Sequence, residues 1–170
     1  MKVIAITILL LSTSVFADGV KVFVLKDGIK ISMLEVPFDP SSHIVENCDK
    51  SQIPCLIDGH FPYGTAFDMP RSQLEELTLS IGNASYKLDT TGMYNAWGKR
   101  PLEYKGSIRY LGAHCYNERS CTLRGVFSDG AGSYVAEWKI INGKPHRTVL
   151  SSSEDIMYLF MKNIDPPFYE

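Results

Sequence analysis

Tyr134-Val135-Ala136-Glu137-Trp138-Lys139-Ile140-Ile141-Asn142-Gly143 decides the fold class of this chain. Tyr134, Ala136, Trp138 and Ile140 fall on one side of an extended backbone, and Glu137 and Lys139 on the other. A period of two marks a strand with one buried face; wound into a helix, the same residues would scatter around the cylinder. Asn142-Gly143 then offers two residues that tolerate positive φ, as a type I′ hairpin turn requires, so residues 147–150 return antiparallel.

The same grammar extends upstream. Ser107 and Arg109 alternate with Ile108 and Tyr110 in a region opening near Tyr104 and running into Cys115. Residues 116–120 reverse the chain, and Cys121, Leu123, Gly125 and Phe127 carry it back before Asp129-Gly130-Ala131-Gly132 turns it again. Near the N-terminus, residues 20–26 and 29–36 flank Asp27-Gly28, a second hairpin signal. Leu77, Leu79 and Ile81 share a face opposite Thr78 and Ser80, and Gly82-Asn83 leads into Tyr86-Lys87-Leu88. Residues 37–50, 60–73 and 90–101 read as loops, with a short strand at 55–58.

One helix ends the chain. Ser151 and Glu154 have capping-box spacing; Ile156, Leu159, Phe160 and Ile164 form one stripe; Pro166-Pro167 forbids continuation. Strands followed by a helix predict an α+β fold: mainly antiparallel β-sheet, as a curled sheet or partly open barrel, with one C-terminal helix.

Lys2, the apolar run from Val3 to Leu11 and Val15-Phe16-Ala17 have the pattern of a secretory signal peptide cut after Ala17. The run is too short to span a bilayer. The expected product is a single β-rich domain over residues 18–170, periplasmic or secreted. Losing Lys2 takes the net charge from −2 to −3, which leaves no basic footprint for nucleic acid, and no second long apolar run predicts membrane insertion. All four cysteines lie in this domain. An even count in an exported chain reads as disulfides, and the short polar stretches between Cys48 and Cys55 and between Cys115 and Cys121 favour those pairings among the three possible. Their gaps do not match zinc-ligand spacing, so no metal is expected.

Catalytic motifs are weak. No serine occupies a Gly-x-Ser-x-Gly elbow, no glycine loop leads into a helix, and no cofactor is expected. The best acid–base cluster is His60 with Asp58 or Asp68; carboxylate pairs among Glu103, Glu118, Asp129 and Glu137 lack a spacing argument. Binding is better served. A bridge from Cys115 to Cys121 would present Tyr116, Asn117, Glu118 and Arg119 on a rigid tip, and Tyr94 and Trp97 supply aromatic anchors in a second loop. The reading is therefore an exported, disulfide-stabilised protein-binding domain, of the inhibitor or immunity type, acting on an envelope hydrolase or toxin. The alternatives are a small envelope-polymer hydrolase and a carrier of an apolar ligand.

Overall fold

The computed structural model describes residues 20–48, 55–65, 68–97, 110–128 and 130–166. Among these residues, ten strands and one α-helix follow in order: β1 (Val20–Val24), β2 (Lys30–Pro37), β3 (Val45–Glu46), β4 (Leu56–Ile57), β5 (Ser72–Ile81), β6 (Ala84–Lys87), β7 (Leu111–Asn117), β8 (Ser120–Phe127), β9 (Tyr134–Ile141), β10 (Lys144–Ser151) and α1 (Glu154–Lys162). They make two four-stranded antiparallel sheets, ordered β1-β2-β5-β6 and β10-β9-β8-β7, with a small β3-β4 ladder beside them. The fold is α+β, and the sheets do not close into a barrel.

Turn chemistry explains the hairpins. Asp27 and Gly28 have φ of 57° and 73°, and the Ile29 N–H donates to the Lys26 carbonyl, closing β1 onto β2. Asn142 and Gly143, at 53° and 79°, do the same for β9 and β10. Alternation then sets the faces. Ile31 and Met33 of β2 and Leu77 and Leu79 of β5 point inward. They share one core with Leu123, Phe127, Tyr134, Ala136, Trp138 and Ile140 from the other sheet. Each fully buried large aliphatic side chain of this kind contributes about 1.5–3 kcal/mol. The Trp138 indole N–H is satisfied at depth by the Asp89 carbonyl, 2.9 Å away.

The second sheet is covered on both sides. Helix α1 lies on its outer face, where Phe160 packs with Val126 and Val135, joined by Ile156 and Ile164. The stripe holds at Ile156, Phe160 and Ile164, but Leu159 is 55% exposed and turns away from the sheet. Glu137, expected to face water, is 5% exposed, because the helix covers that face. Its carboxylate accepts from Arg124 Nε at 2.7 Å and from the Thr148 hydroxyl at 2.8 Å, and the Arg124 guanidinium lies 5.0 Å over the Phe160 ring.

The expected capping box does not form. Ser151 ends β10, and its hydroxyl accepts from the Ser153 N–H; Ser153 occupies the N-cap without a side-chain bond to the helix. Beyond the helix, the backbone at Ile164 and Asp165 crosses Gly112 so closely that a Cβ there would sit 2.2 Å from the Ile164 carbonyl oxygen. The alternation at residues 107–109 and Asp129 lie outside the described residues; the rest of the expected 129–132 reversal, Gly130–Gly132, forms a 3-10 turn between β8 and β9.

Candidate functional site

Two regions collect the chemistry-bearing residues. The first is one end of the molecule, where three two-residue turns meet. Disulfide Cys115–Cys121 staples β7 to β8, and the reversal between them is tighter than the sequence suggests: Asn117 pairs with Ser120, leaving Glu118-Arg119 as the turn. Tyr116 belongs to the strand. The Glu118 carboxylate reaches the opposite sheet and accepts from the Asn83 N–H at 3.2 Å, above Gly82, where a Cβ would lie 2.0 Å from Glu118 Oε1. The Tyr86 hydroxyl donates to the Glu118 carbonyl at 2.7 Å. Arg119 donates from its guanidinium to the Asn142 carbonyl at 3.1 Å, while its own carbonyl accepts from the Gly143 N–H at 2.9 Å. Asn117 Oδ1 accepts from the Arg119 N–H at 2.8 Å.

Four of the residues singled out from sequence therefore stand together, yet Glu118 and Arg119 spend their polar groups on neighbouring turns. Tyr116 is 53% exposed and packs edge-on against His114, with centroids 5.1 Å apart. Ile141, at the base of the adjacent turn, is 51% exposed. The two remaining candidates lie elsewhere. Trp97 is half-buried against Phe23 and Phe127, and Tyr94 is buried beside Phe38 and disulfide Cys48–Cys55. Neither presents its ring as a free anchor.

The second region is a cleft of about 280 Å³ between the β3-β4 ladder and residues 90–94. Disulfide Cys48–Cys55 closes the ladder and brings His43 beside Asp58. The Asp58 carboxylate accepts from His43 Nδ1 at 2.7 Å and from the Ile44 N–H at 2.8 Å. These bonds, the histidine's first and then the backbone amide's, hold the Asp58 carboxyl below its ordinary value. The His43 ring stacks on Phe38, with centroids 4.9 Å apart, so its orientation is fixed. With Nδ1 committed, Nε2 is the ring nitrogen left to a ligand. Burial pushes the Tyr94 phenol up to about 12, and the Asp58 charge adds to this.

Sequence proximity paired Asp58 with His60, whereas the bonded histidine is His43. His60 does line the same cleft, and Asp68 is exposed. Of the carboxylates considered as pairs, Glu137 is bound to Arg124 beneath α1 and Glu118 sits on a turn at the far end; Glu103 and Asp129 lie outside the described residues. Among the described residues, no group of three or more His, Cys, Asp or Glu is placed to hold a metal ion, and no helix is long and apolar enough to cross a membrane.

Another buried polar cluster lies at the edge of the core. Glu35, 2% exposed, accepts from the Ser72 hydroxyl at 2.6 Å. Tyr134 is wholly buried, and its hydroxyl has no hydrogen-bond partner among the described residues. Burial, and then the Glu35 charge, raises that phenol well above its ordinary value. Compared with family models, curated proteins and solved structures, the chain matches none.

Proposed function

We propose that this chain is an exported, disulfide-stabilised domain that binds another protein in the periplasm or outside the cell, as an inhibitor or immunity protein of an envelope hydrolase or toxin. The observation that carries this reading is the three-turn end. Its turns are tied to one another and to the Cys115–Cys121 staple, so its backbone is already ordered when a partner arrives, and docking costs little conformational entropy. Tyr116 is the anchor: large, amphipathic, half-exposed and on a fixed strand. Glu118 and Arg119 shape the platform rather than reach outward. Inhibition is steric, the projecting end filling the partner's cleft.

Affinity capture with the oxidised domain, residues 18–170, from envelope and secreted extracts tests the reading. The expected result is one protein retained at near-equal stoichiometry whose hydrolytic or toxic activity falls on binding. Tyr116→Ala should weaken that complex by about 1–3 kcal/mol while leaving thermal unfolding unchanged. Full affinity in Tyr116→Ala would reject the docking end; retention without any effect on the partner's activity would reject inhibition.

A further inference from the structure

We propose that the His43–Asp58 cleft is a binding site for a neutral, hydroxyl-rich ligand the size of a sugar ring. Nothing in the protein-binding reading requires it, since it lies apart from the three-turn end.

The first argument is charge. The carboxylates of Asp58 and Glu75 line the cleft, and no lysine or arginine side chain does so among the described residues. A phosphate or carboxylate would enter against these like charges without a lysine or arginine among the described lining residues to receive it.

The second is hydrogen-bonding character. Thr90, Thr91, Gln73 and the two imidazoles, His43 and His60, all line the space. Hydroxyl, amide and imidazole groups both donate and accept, which matches ligand hydroxyls that do the same. His43 Nε2 is fixed in place by the Asp58 bond and the Phe38 stack.

Size and surface give the third. About 280 Å³ lies just below the usual range of roughly 300–1,000 Å³ for small-molecule pockets, which suits a single ring. Ile57, Leu74 and Met93 also line the cleft but are almost wholly buried, so recognition falls to the polar groups.

The cleft is also pre-formed. Cys48–Cys55 closes the β3-β4 side. On the other side, Arg147 donates to the Thr91 carbonyl at 2.6 Å and pairs with Asp89 at 3.0 Å. Backbone bridges from Tyr63 to Met93 and from Gln73 to Tyr94 complete the wall.

The test is an NMR titration of the oxidised protein with N-acetylglucosamine, and in parallel with glucose 6-phosphate as the anionic comparison. Saturable shifts at the His43 and His60 ring protons and at the Thr91 amide are expected with the neutral sugar, with weaker binding of the phosphorylated one. Thr91→Val removes the hydroxyl of a cleft-lining residue but keeps the backbone carbonyl that holds Arg147. Gln73→Leu removes the amide. Each loses about one hydrogen bond, so each should weaken the neutral sugar about 3–10-fold with an unchanged thermal midpoint. The proposal fails if the neutral sugar gives no saturable shift, if the phosphorylated sugar binds more tightly, or if both folded variants retain full affinity.

Discussion

Replacing Arg124 with methionine should destabilise the domain far more than replacing Arg124 and Glu137 together. Among the described residues Arg124 is the nearest cation to the Glu137 carboxylate, at 2.7 Å; Lys139 stands 3.9 Å away, and the Thr148 hydroxyl is another near partner. Both members of the pair are shielded by α1, their side chains 16% and 7% exposed. Methionine keeps an unbranched stem over Phe160 but strands the carboxylate beneath the helix and leaves the Asn163 carbonyl without the Arg124 donor now 3.2 Å away. Breaking a buried pair from one side typically costs about 3–5 kcal/mol, whereas replacing both partners with apolar residues is often neutral or better. Arg124→Met should therefore fall in that range, and Arg124→Met with Glu137→Met should recover to within about 1–2 kcal/mol of the parent. Urea unfolding of the oxidised proteins, followed by tryptophan fluorescence and far-UV circular dichroism, measures both, provided the m-values agree. A double variant as unstable as Arg124→Met would refute the reasoning, because the cost would then lie in lost packing and not in an orphaned charge.

Three further expectations come from individual positions. Tyr134→Phe removes the fully buried hydroxyl that lacks a hydrogen-bond partner among the described residues, so it should be neutral or stabilising by about 1 kcal/mol; a loss larger than that in thermal unfolding would show that the hydroxyl is bound. Asp58 has a folded-state pKa below its ordinary value, so its contribution is fully present above that ordinary value and is lost as pH falls through the folded pKa. The stability gap between parent and Asp58→Asn should accordingly close on acidification; a gap that is constant with pH would remove Asp58 as its source. Gly112→Ala places a Cβ against the Ile164 carbonyl and should cost about 1–3 kcal/mol, with faster amide exchange in α1; unchanged exchange there would mean that the C-terminal segment gives way freely.

Hairpins were legible because their determinants are local. Asp27-Gly28 and Asn142-Gly143 carry their turn chemistry within two residues, and both adopt the positive φ that chemistry implies. The alternation from Tyr134 to Ile140 likewise marked the buried face of β9. What escaped the sequence depends on contacts between distant segments. Glu137 reads as solvent-facing until α1 covers it, and nothing near residue 137 reports that cover. The grips of Glu118 on Asn83 and of Arg119 on Asn142 join turns 35 and 23 residues apart, so residues that looked like free docking groups proved structural. The His43–Asp58 pair was within reach. With Cys48 bonded to Cys55, the flanking chain must run antiparallel, Val45 opposite Ile57, which carries residues 43 and 44 to Asp58. Sequence proximity to His60 obscured that symmetry.

The interlocked turns also restrict where this chain can change length. Each of the three has two residues between its last paired positions, Ile81 with Ala84, Asn117 with Ser120 and Ile141 with Lys144. An inserted residue adds about 3.3 Å of chain, more than the reach of any hydrogen bond that joins these turns, so lengthening one would release its hold on the others. A graft or tag at this end would thus disturb both sheets at once, whereas the exposed turn at Pro40–Ser42, whose bonds stay within neighbouring residues, is the better place for added sequence.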